Sequence, residues 1–275
     1  MYLDEILKSY TDIGGINHIN GKVLPSKYQV SQLLNHIKRL LFPGYFDDSI
    51  ISTKNIEKLT EETLTNAKQL LTILLDSAIS STTNKAFETN KVDHIITDFF
   101  TYIPKLRNEL KKDCLAIFNG DPAAQSEEEV ILAYPGFLAV SIYRIAHYFE
   151  KQLIPLIPRM MTEIAHSQTG VDIHPAAIIG ESFCIDHGSG VVIGQTSIIG
   201  NNVKMYQGVT IGALSIPKKG CTQKRHPTIE DNVTIYARTT ILGGNTIIGK
   251  ESVIGGNLWI TKSIPPHSKI TQTGL

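Results

Sequence analysis

Asp186 and His187 stand side by side in the stretch IDHGSG. A carboxylate next to an imidazole is a pair that can take a proton from an alcohol, which is too weak a nucleophile without a base in reach. Arg225 and His226, in KRHPTI, set a permanent cation beside a second imidazole. Asp172 and His174 lie in VDIHPAA, and Asp121 lies in GDPAA. Each has an ordinary alternative. A lone histidine in a turn is more often structural than catalytic, and His174, next to Pro175, reads as a corner residue bonded to backbone. Asp121 before a proline is a common turn. Arg225-His226 could be a solvated basic cluster. Asp186-His187 point to function more strongly, because they break a regular pattern and are followed by Gly-Ser-Gly.

That pattern is a six-residue period. Apolar residues recur at Ile173, Ile179 and Ile185, then after one longer step at Ile193, Ile199, Met205 and Ile211. The series returns at Ile229, Ile235 and Ile241, slips by one residue, and continues at Ile248, Ile254 and Ile260. A helix repeats every 3.6 residues and a strand every two, so neither fits. Hexads of this kind build a parallel β-helix, in which each short strand turns one aliphatic side chain inward. The widened step falls at Asp186-His187. Between Ile211 and Ile229 the pattern is lost, which predicts a loop over 214–226 leaving the solenoid wall. The periodicity does not fix the hand, and general crossover rules favour right-handed connections.

The chain of 275 residues allows one large domain or two moderate ones. Lys plus Arg and Asp plus Glu are both 26, so nothing global argues for nucleic acid or an anionic surface. No apolar run approaches the ~20 residues that span a bilayer, and MYLDEILKSY is not a signal peptide. The three scattered cysteines, Cys114, Cys184 and Cys221, suit reduced thiols in a cytoplasm.

Residues 1–166 read as an all-helical domain and 167–275 as the β-helix. A helical stripe runs through Tyr28, Val30, Leu33, Leu34, Ile37, Leu40 and Leu41, and stops at Phe42-Pro43-Gly44. Thr53 or Asn55 can cap a long helix carrying Ile56 to Leu75. Residues 80–90 read as a polar loop. One helix is expected from Val92 to about Tyr102 and another from Pro104, in its first turn, to Gly120 as C-terminal cap. Ser126 with Glu129 matches a capping box. A further helix carries Phe137, Val140, Ile142, Ile145 and Phe149. Residues 153–158 read as a kinked link, and 166–170 as the lead into the first hexad.

The series VDIHPAAIIG, IDHGSGVVIGQT, YQGVTIGA, KRHPTIEDNVTIYA and ILGG, with GDPAA and YPGFLAVSIYRIAHYF upstream, resembles serine O-acetyltransferase. The resemblance covers roughly residues 119–265. It implies an α+β protein: a helical N-terminal domain followed by a left-handed parallel β-helix. It implies acetyl transfer from acetyl-CoA to the hydroxyl of L-serine, with no metal. His187 is then the general base, Asp172 the carboxylate that orients its imidazole, and His226 and Arg225 the groups that bind the serine carboxylate or the developing oxyanion. Asp121 and Asp186 bind the serine ammonium. Gly212, Ala213, Ala237 and Gly256 are the small positions along which pantetheine lies between two chains, and Lys218 and Lys219 meet the coenzyme A phosphates. The rung spacing further suggests that Asp172 and His187 meet from neighbouring rungs. The family forms trimers or dimers of trimers. It also associates with O-acetylserine sulfhydrylase through a terminal isoleucine that the tail Thr271 to Leu275 lacks, so tight association is not expected. The family's usual glutamate is Gln195 here. Trimeric β-helix carbonic anhydrases, which bind zinc through histidines including a pair five residues apart, fit less well, because His166, His174, His187 and His226 contain no such pair. Other acceptors within the same acetyltransferase superfamily, and a non-catalytic solenoid scaffold, are the competing readings.

Overall fold

The computed structural model describes residues 2–47, 49–81, 89–214 and 223–271. Seven helices come first: α1 (Tyr2–Asp12), α2 (Lys27–Leu41), α3 (Ile56–Ser80), α4 (Thr89–Gly120), α5 (Glu127–Ala133), α6 (Pro135–Lys151) and α7 (Ile157–Thr169). The expected stripe of α2 is buried at Val30, Leu33, Leu34, Ile37 and Leu41. It packs with Leu71, Leu74 and Leu75 of α3 and with Phe99, Leu106 and Leu110 of α4. Helix α5 begins as expected, with the Ser126 hydroxyl accepting from the Glu129 N–H at 3.2 Å. No single helix among the described residues is long and apolar enough to cross a membrane.

The helical part departs from the sequence reading in three places. Residues 89–120 form one helix with Pro104 inside it, not two. An internal proline costs about 3 kcal/mol, but Phe99 and Leu106 on either side are both fully buried in the same core, and that burial outweighs the local penalty. Residues 157–169, read as a link and a lead-in, form α7, with Met161, Ile164 and Ala165 buried and Gly170 as a left-handed cap at φ +70°. The helical part therefore runs past the expected boundary at 166. Gly120 is the last helical residue rather than a left-handed cap, and its positive-φ role falls away. The expected loop at 80–90 falls largely on 82–88, outside the described residues.

The second half is the expected left-handed parallel β-helix. Face A stacks β1 (Asp172–Ile173), β4 (Val192–Ile193), β7 (Thr210–Gly212), β10 (Thr240–Leu242) and β13 (Trp259–Ile260). Face B stacks β2 (Ile178–Ile179), β5 (Ile198–Ile199), β8 (Thr228–Ile229) and β11 (Ile247–Ile248). Face C stacks β3 (Cys184–Ile185), β6 (Lys204–Met205), β9 (Thr234–Ile235), β12 (Val253–Ile254) and β14 (Lys269–Ile270). Every apolar position of the hexad series is the inward residue of a strand and is buried. Each pairs with its counterpart one coil away, as Ile173 with Ile193 and Ile193 with Ile211. Only β14 lies beyond the series.

Helix α6 closes the open end of the solenoid. Its Ala139, Val140 and Tyr143 belong to the solenoid core, and the Tyr143 hydroxyl donates to the Ala177 carbonyl at 2.5 Å. Gly136 is required there, because a Cβ would collide with the Ile185 carbonyl oxygen. Arg144 grips buried Asp113 of α4 with two bonds of 2.5 and 2.7 Å and also donates to the Gly180 carbonyl. These ties fix the helices against the first coil, which carries Asp172, His174, Asp186 and His187.

Candidate active site

Two edges of the prism carry the polar residues. The first edge joins face C to face A. Here the widened step turns the corner through His187, Gly188 and Gly190, with φ of +59°, +91° and +80°. Asn202, Asn232 and Asn257 take the same left-handed conformation at other corners, so strain is not what singles His187 out. Exposure is: the His187 side chain is 68% exposed while that of Asp186 is 7% exposed, and Nε2 lies 3.7 Å from Asp186 Oδ1. The imidazole therefore stands off the wall and the carboxylate lies within it. Asp186 Oδ2 pairs with Lys204 Nζ at 3.2 Å, whereas the buried Oδ1 has no hydrogen-bond partner among the described residues. An unsatisfied buried acceptor costs about 1–3 kcal/mol, so Oδ1 gains from accepting a further donor.

The loop after α4 brings Asp121 to this edge, as the sequence reading expects. Asp121, Tyr134, Pro135, Ala133, Asp186 and His187 line a cleft of about 310 Å³. Tyr134, to which the sequence reading gives no role at the site, donates its hydroxyl to Asp121 Oδ2 at 2.6 Å, and the Ala123 N–H donates to Oδ1 at 2.9 Å. These bonds hold the Asp121 carboxyl below its usual range and push the Tyr134 phenol up to about 12. Asp121 is thus anionic and oriented. A larger cavity, of about 400 Å³, lies at the seam of α4 and α6 with Gly180. Its buried Arg144 is already paired with Asp113, and the residues singled out above lie elsewhere.

The second edge joins face A to face B. His226 is buried there, and its Nδ1 accepts from the Thr196 N–H at 3.1 Å. A ring nitrogen that accepts an amide proton carries none, so the proton of the neutral imidazole sits on Nε2. Burial first, then the charges of Arg225 and Lys224 and the neighbouring His174, lower its pKa to about 4. His226 is therefore a neutral N–H donor at physiological pH. Its ring occupies the space a Cβ on Gly194 would take. The Arg225 Nη2 donates to Gln195 Oε1 at 2.5 Å. With an amide as acceptor, this bond orients the guanidinium. Replacing Arg225 by methionine should raise the KM for a carboxylate-bearing acceptor by about ten- to a hundredfold, the size of a charge-assisted bond, with kcat less affected in steady-state assays.

His174 sits on the same edge and behaves as the bland reading expects: its Nδ1 accepts from the Ala176 N–H at 3.1 Å, two residues on. Burial, then the charge of Arg159, lowers its pKa to about 4. Both histidines are thus neutral in the fold and protonate at about 6.5 when unfolded. Between these values the unfolded state binds more protons, so stability is full above about pH 6.5 and falls toward about pH 4. His174→Asn, which keeps an acceptor for the Ala176 N–H, should flatten that part of the Tm–pH curve and leave turnover within a few-fold.

Asp172 is not where the rung spacing suggests. It projects from face A, and its Oδ1 lies 3.4 Å from Arg159 Nη1 of α7; it forms no ion pair or hydrogen bond with His187 among the described residues. The reason is geometric: His187 turns away on the corner, whereas α7, unseen in the sequence, places a guanidinium beside the carboxylate. Glu163, His166 and Asp172 form a group able to ligate a metal, but Arg159 spans Glu163 and Asp172 and already supplies the positive charge.

The small residues split between the edges in the same way. Ala237 and Gly256 touch on the C-to-A edge, where the Ala237 carbonyl accepts from the Asn257 N–H at 2.9 Å and a Cβ on Gly256 would lie 2.9 Å from that carbonyl oxygen. Gly212 and Ala213 leave face A on the other edge. Tyr206 and Tyr236 stack at 4.9 Å on the C-to-A edge, an aromatic pair that the sequence analysis passes over, although the two share one corner position. Lys218 and Lys219 lie outside the described residues.

A hexapeptide β-helix capped by helices thus carries a buried carboxylate and an exposed imidazole on one edge, and a cation and a neutral imidazole donor on the next. Residues 47–141 match the family model described as serine acetyltransferase, N-terminal. A plasmid serine acetyltransferase of Synechococcus elongatus is 40% identical over 264 residues, covering 90% of this chain and 82% of that protein. The structure of Entamoeba histolytica serine acetyltransferase isoform 3 in complex with cysteine superposes with a TM-score of 0.78 at 31% identity, covering 99% of this chain and 91% of that one. A soybean serine acetyltransferase complexed with serine gives a TM-score of 0.59 at 27% identity, covering 90% and 98%. The chain belongs to the serine acetyltransferase family.

Proposed function

We infer that this protein transfers the acetyl group of acetyl-CoA to the hydroxyl of L-serine, giving O-acetyl-L-serine and coenzyme A. The observation that carries this reading is the buried Asp186 Oδ1, which lacks a donor and lies in a cleft with anionic Asp121 and exposed His187. Two carboxylates suit an ammonium, and the imidazole beside them suits the hydroxyl of the same small molecule. Arg225 supplies the partner for a carboxylate. In the proposed reaction His187 takes the hydroxyl proton as the serine oxygen bonds to the thioester carbonyl carbon. The His226 Nε2–H steadies the negative charge on the carbonyl oxygen. His187 then returns the proton to the departing sulfur as the carbon–sulfur bond breaks. The Entamoeba relatives bound to cysteine support competition by L-cysteine for the same cleft, since it carries the same ammonium and carboxylate.

The same reading accounts for the two edges. His187, Asp186, Ala237 and Gly256 lie on one, and His226, Arg225, Gly212 and Ala213 on the next. Three prisms packed head to tail about a threefold axis bring the first edge of one copy against the second edge of its neighbour. Each of three sites, and each groove for acetyl-CoA, is then completed by two copies; the helical domains join two such trimers. Cys114 and Cys184 are free thiols, which supports a reducing cytoplasm. Release of coenzyme A thiol should depend on L-serine and not on homoserine or amino sugars; release with an amino sugar but not serine would overturn the acceptor assignment.

A further inference from the structure

Lys204 is the charged residue of this site that the reaction does not use. It projects from β6 on face C, one coil beyond Cys184. Its Nζ makes three contacts: the Gly120 carbonyl at 2.5 Å, Asp186 Oδ2 at 3.2 Å, and the face of Tyr206 at 4.5 Å from the ring centroid. The side chain is only 17% exposed. Gly120 is the last residue of α4, where free carbonyls attract a cation, and a Cβ there would stand 3.5 Å from both Lys204 Nζ and Cys184 Sγ. The residue after Gly120 is Asp121. One ammonium thus bonds the backbone that carries one candidate serine-binding carboxylate and the side chain that provides the other.

We propose that Lys204 is a positioning residue that clasps the end of α4 to the solenoid, so that Asp121 and Asp186 face the acceptor's ammonium together. This rests on the reading of those carboxylates as the ammonium site. The charges agree with it. Two carboxylates in one cleft repel each other when the site is empty. With Lys204 between them the net charge is −1, which the incoming ammonium neutralises. Two opposing effects follow from removing the lysine. Losing its like charge would draw the ammonium in, and losing the clasp would let Asp121 drift. The Asp186 backbone is fixed by its bond to the Met205 carbonyl, whereas the last turn of α4 meets the solenoid here through Lys204. The clasp therefore dominates. The rest of α4 stays docked through Lys112 on Glu181 at 2.7 Å and Asp113 on the Phe183 N–H at 2.9 Å, so the fold should survive.

The test compares the full-length protein with Lys204→Met and Lys204→Arg. The methionine variant should raise the KM for L-serine and the dissociation constant of L-cysteine, measured by calorimetry, by about tenfold, the loss of one charge-assisted contact. The kcat and the KM for acetyl-CoA should change by less than about threefold. Amide exchange over residues 117–124 should quicken, and the arginine variant should recover most of each effect. A lower Tm with unchanged KM, cysteine affinity and exchange would overturn the proposal, as would tighter binding of either amino acid. A wild-type protein that binds L-cysteine but does not acetylate serine would defeat the functional reading, while cysteine affinity and exchange would still decide the role of Lys204.

Discussion

Replacing His187 by alanine should lower kcat for serine acetylation by about 10²–10⁴-fold, the span that a positioned general base contributes. The side chain is 68% exposed and, among the described residues, its ion-pair contact is with Asp186, so its loss removes little packing. The Tm, the oligomeric state and acetyl-CoA binding should stay as in the parent protein. Serine affinity should change little, because the ammonium and carboxylate contacts remain. His174→Asn supplies the control on a histidine whose bond to the Ala176 N–H marks it as structural. A folded His187→Ala protein that acetylates serine at the parental rate would show that another group takes the proton.

His226→Ala should cost about 10²–10³-fold in kcat, the size of one lost oxyanion donor. The tautomer is the reason. Thr196 supplies its N–H to Nδ1, so the Nε2 proton is available, and with a pKa lowered to about 4 the ring stays neutral at pH 7. The variant also strips the Thr196 N–H of its acceptor, so some stability is lost with it. His226→Asn separates the two effects, because its side-chain oxygen can accept from the Thr196 N–H while the amide ends short of the Nε2 position. Stability restored without activity is the expected outcome. Full activity in either variant would remove His226 from the reaction.

The solenoid was legible because its core imposes one residue type at one spacing. Each hexad isoleucine, and Met205, became an inward strand residue, and the departure from period at Asp186-His187 became the corner that exposes His187. His174 was legible for the same reason, as a corner histidine beside a proline. The helical half was read less well. Pro104 signals a break, yet the apolar residues on both sides share one core and the helix runs through it. Helix α7 begins amid two prolines that read as a link, which masked the stripe of Ile157, Met161, Ile164 and Ala165, and with it Arg159 beside Asp172. Tyr134 and Lys204 were missed because their partners, Asp121 and Gly120, are distant in sequence. No spacing rule connects Tyr134 to Asp121 across α5, or Lys204 to Gly120 where α4 docks on the solenoid. The family resemblance supplied the roles of the site residues, and the fold supplied the division of those residues between two edges.

That division is the central claim, and mixing two inactive proteins tests it most directly. His187→Ala damages only the first edge and His226→Ala only the second. If each site joins the first edge of one copy to the second edge of its neighbour, mixed assemblies contain some sites with both histidines intact. Co-refolding equal amounts should restore serine-dependent release of coenzyme A to about a quarter of the parental rate, from random head-to-tail pairing. Native mass spectrometry establishes that the copies have mixed. Mixed assemblies as inactive as either variant alone would mean that both histidines of a site come from one chain, and would contradict the account.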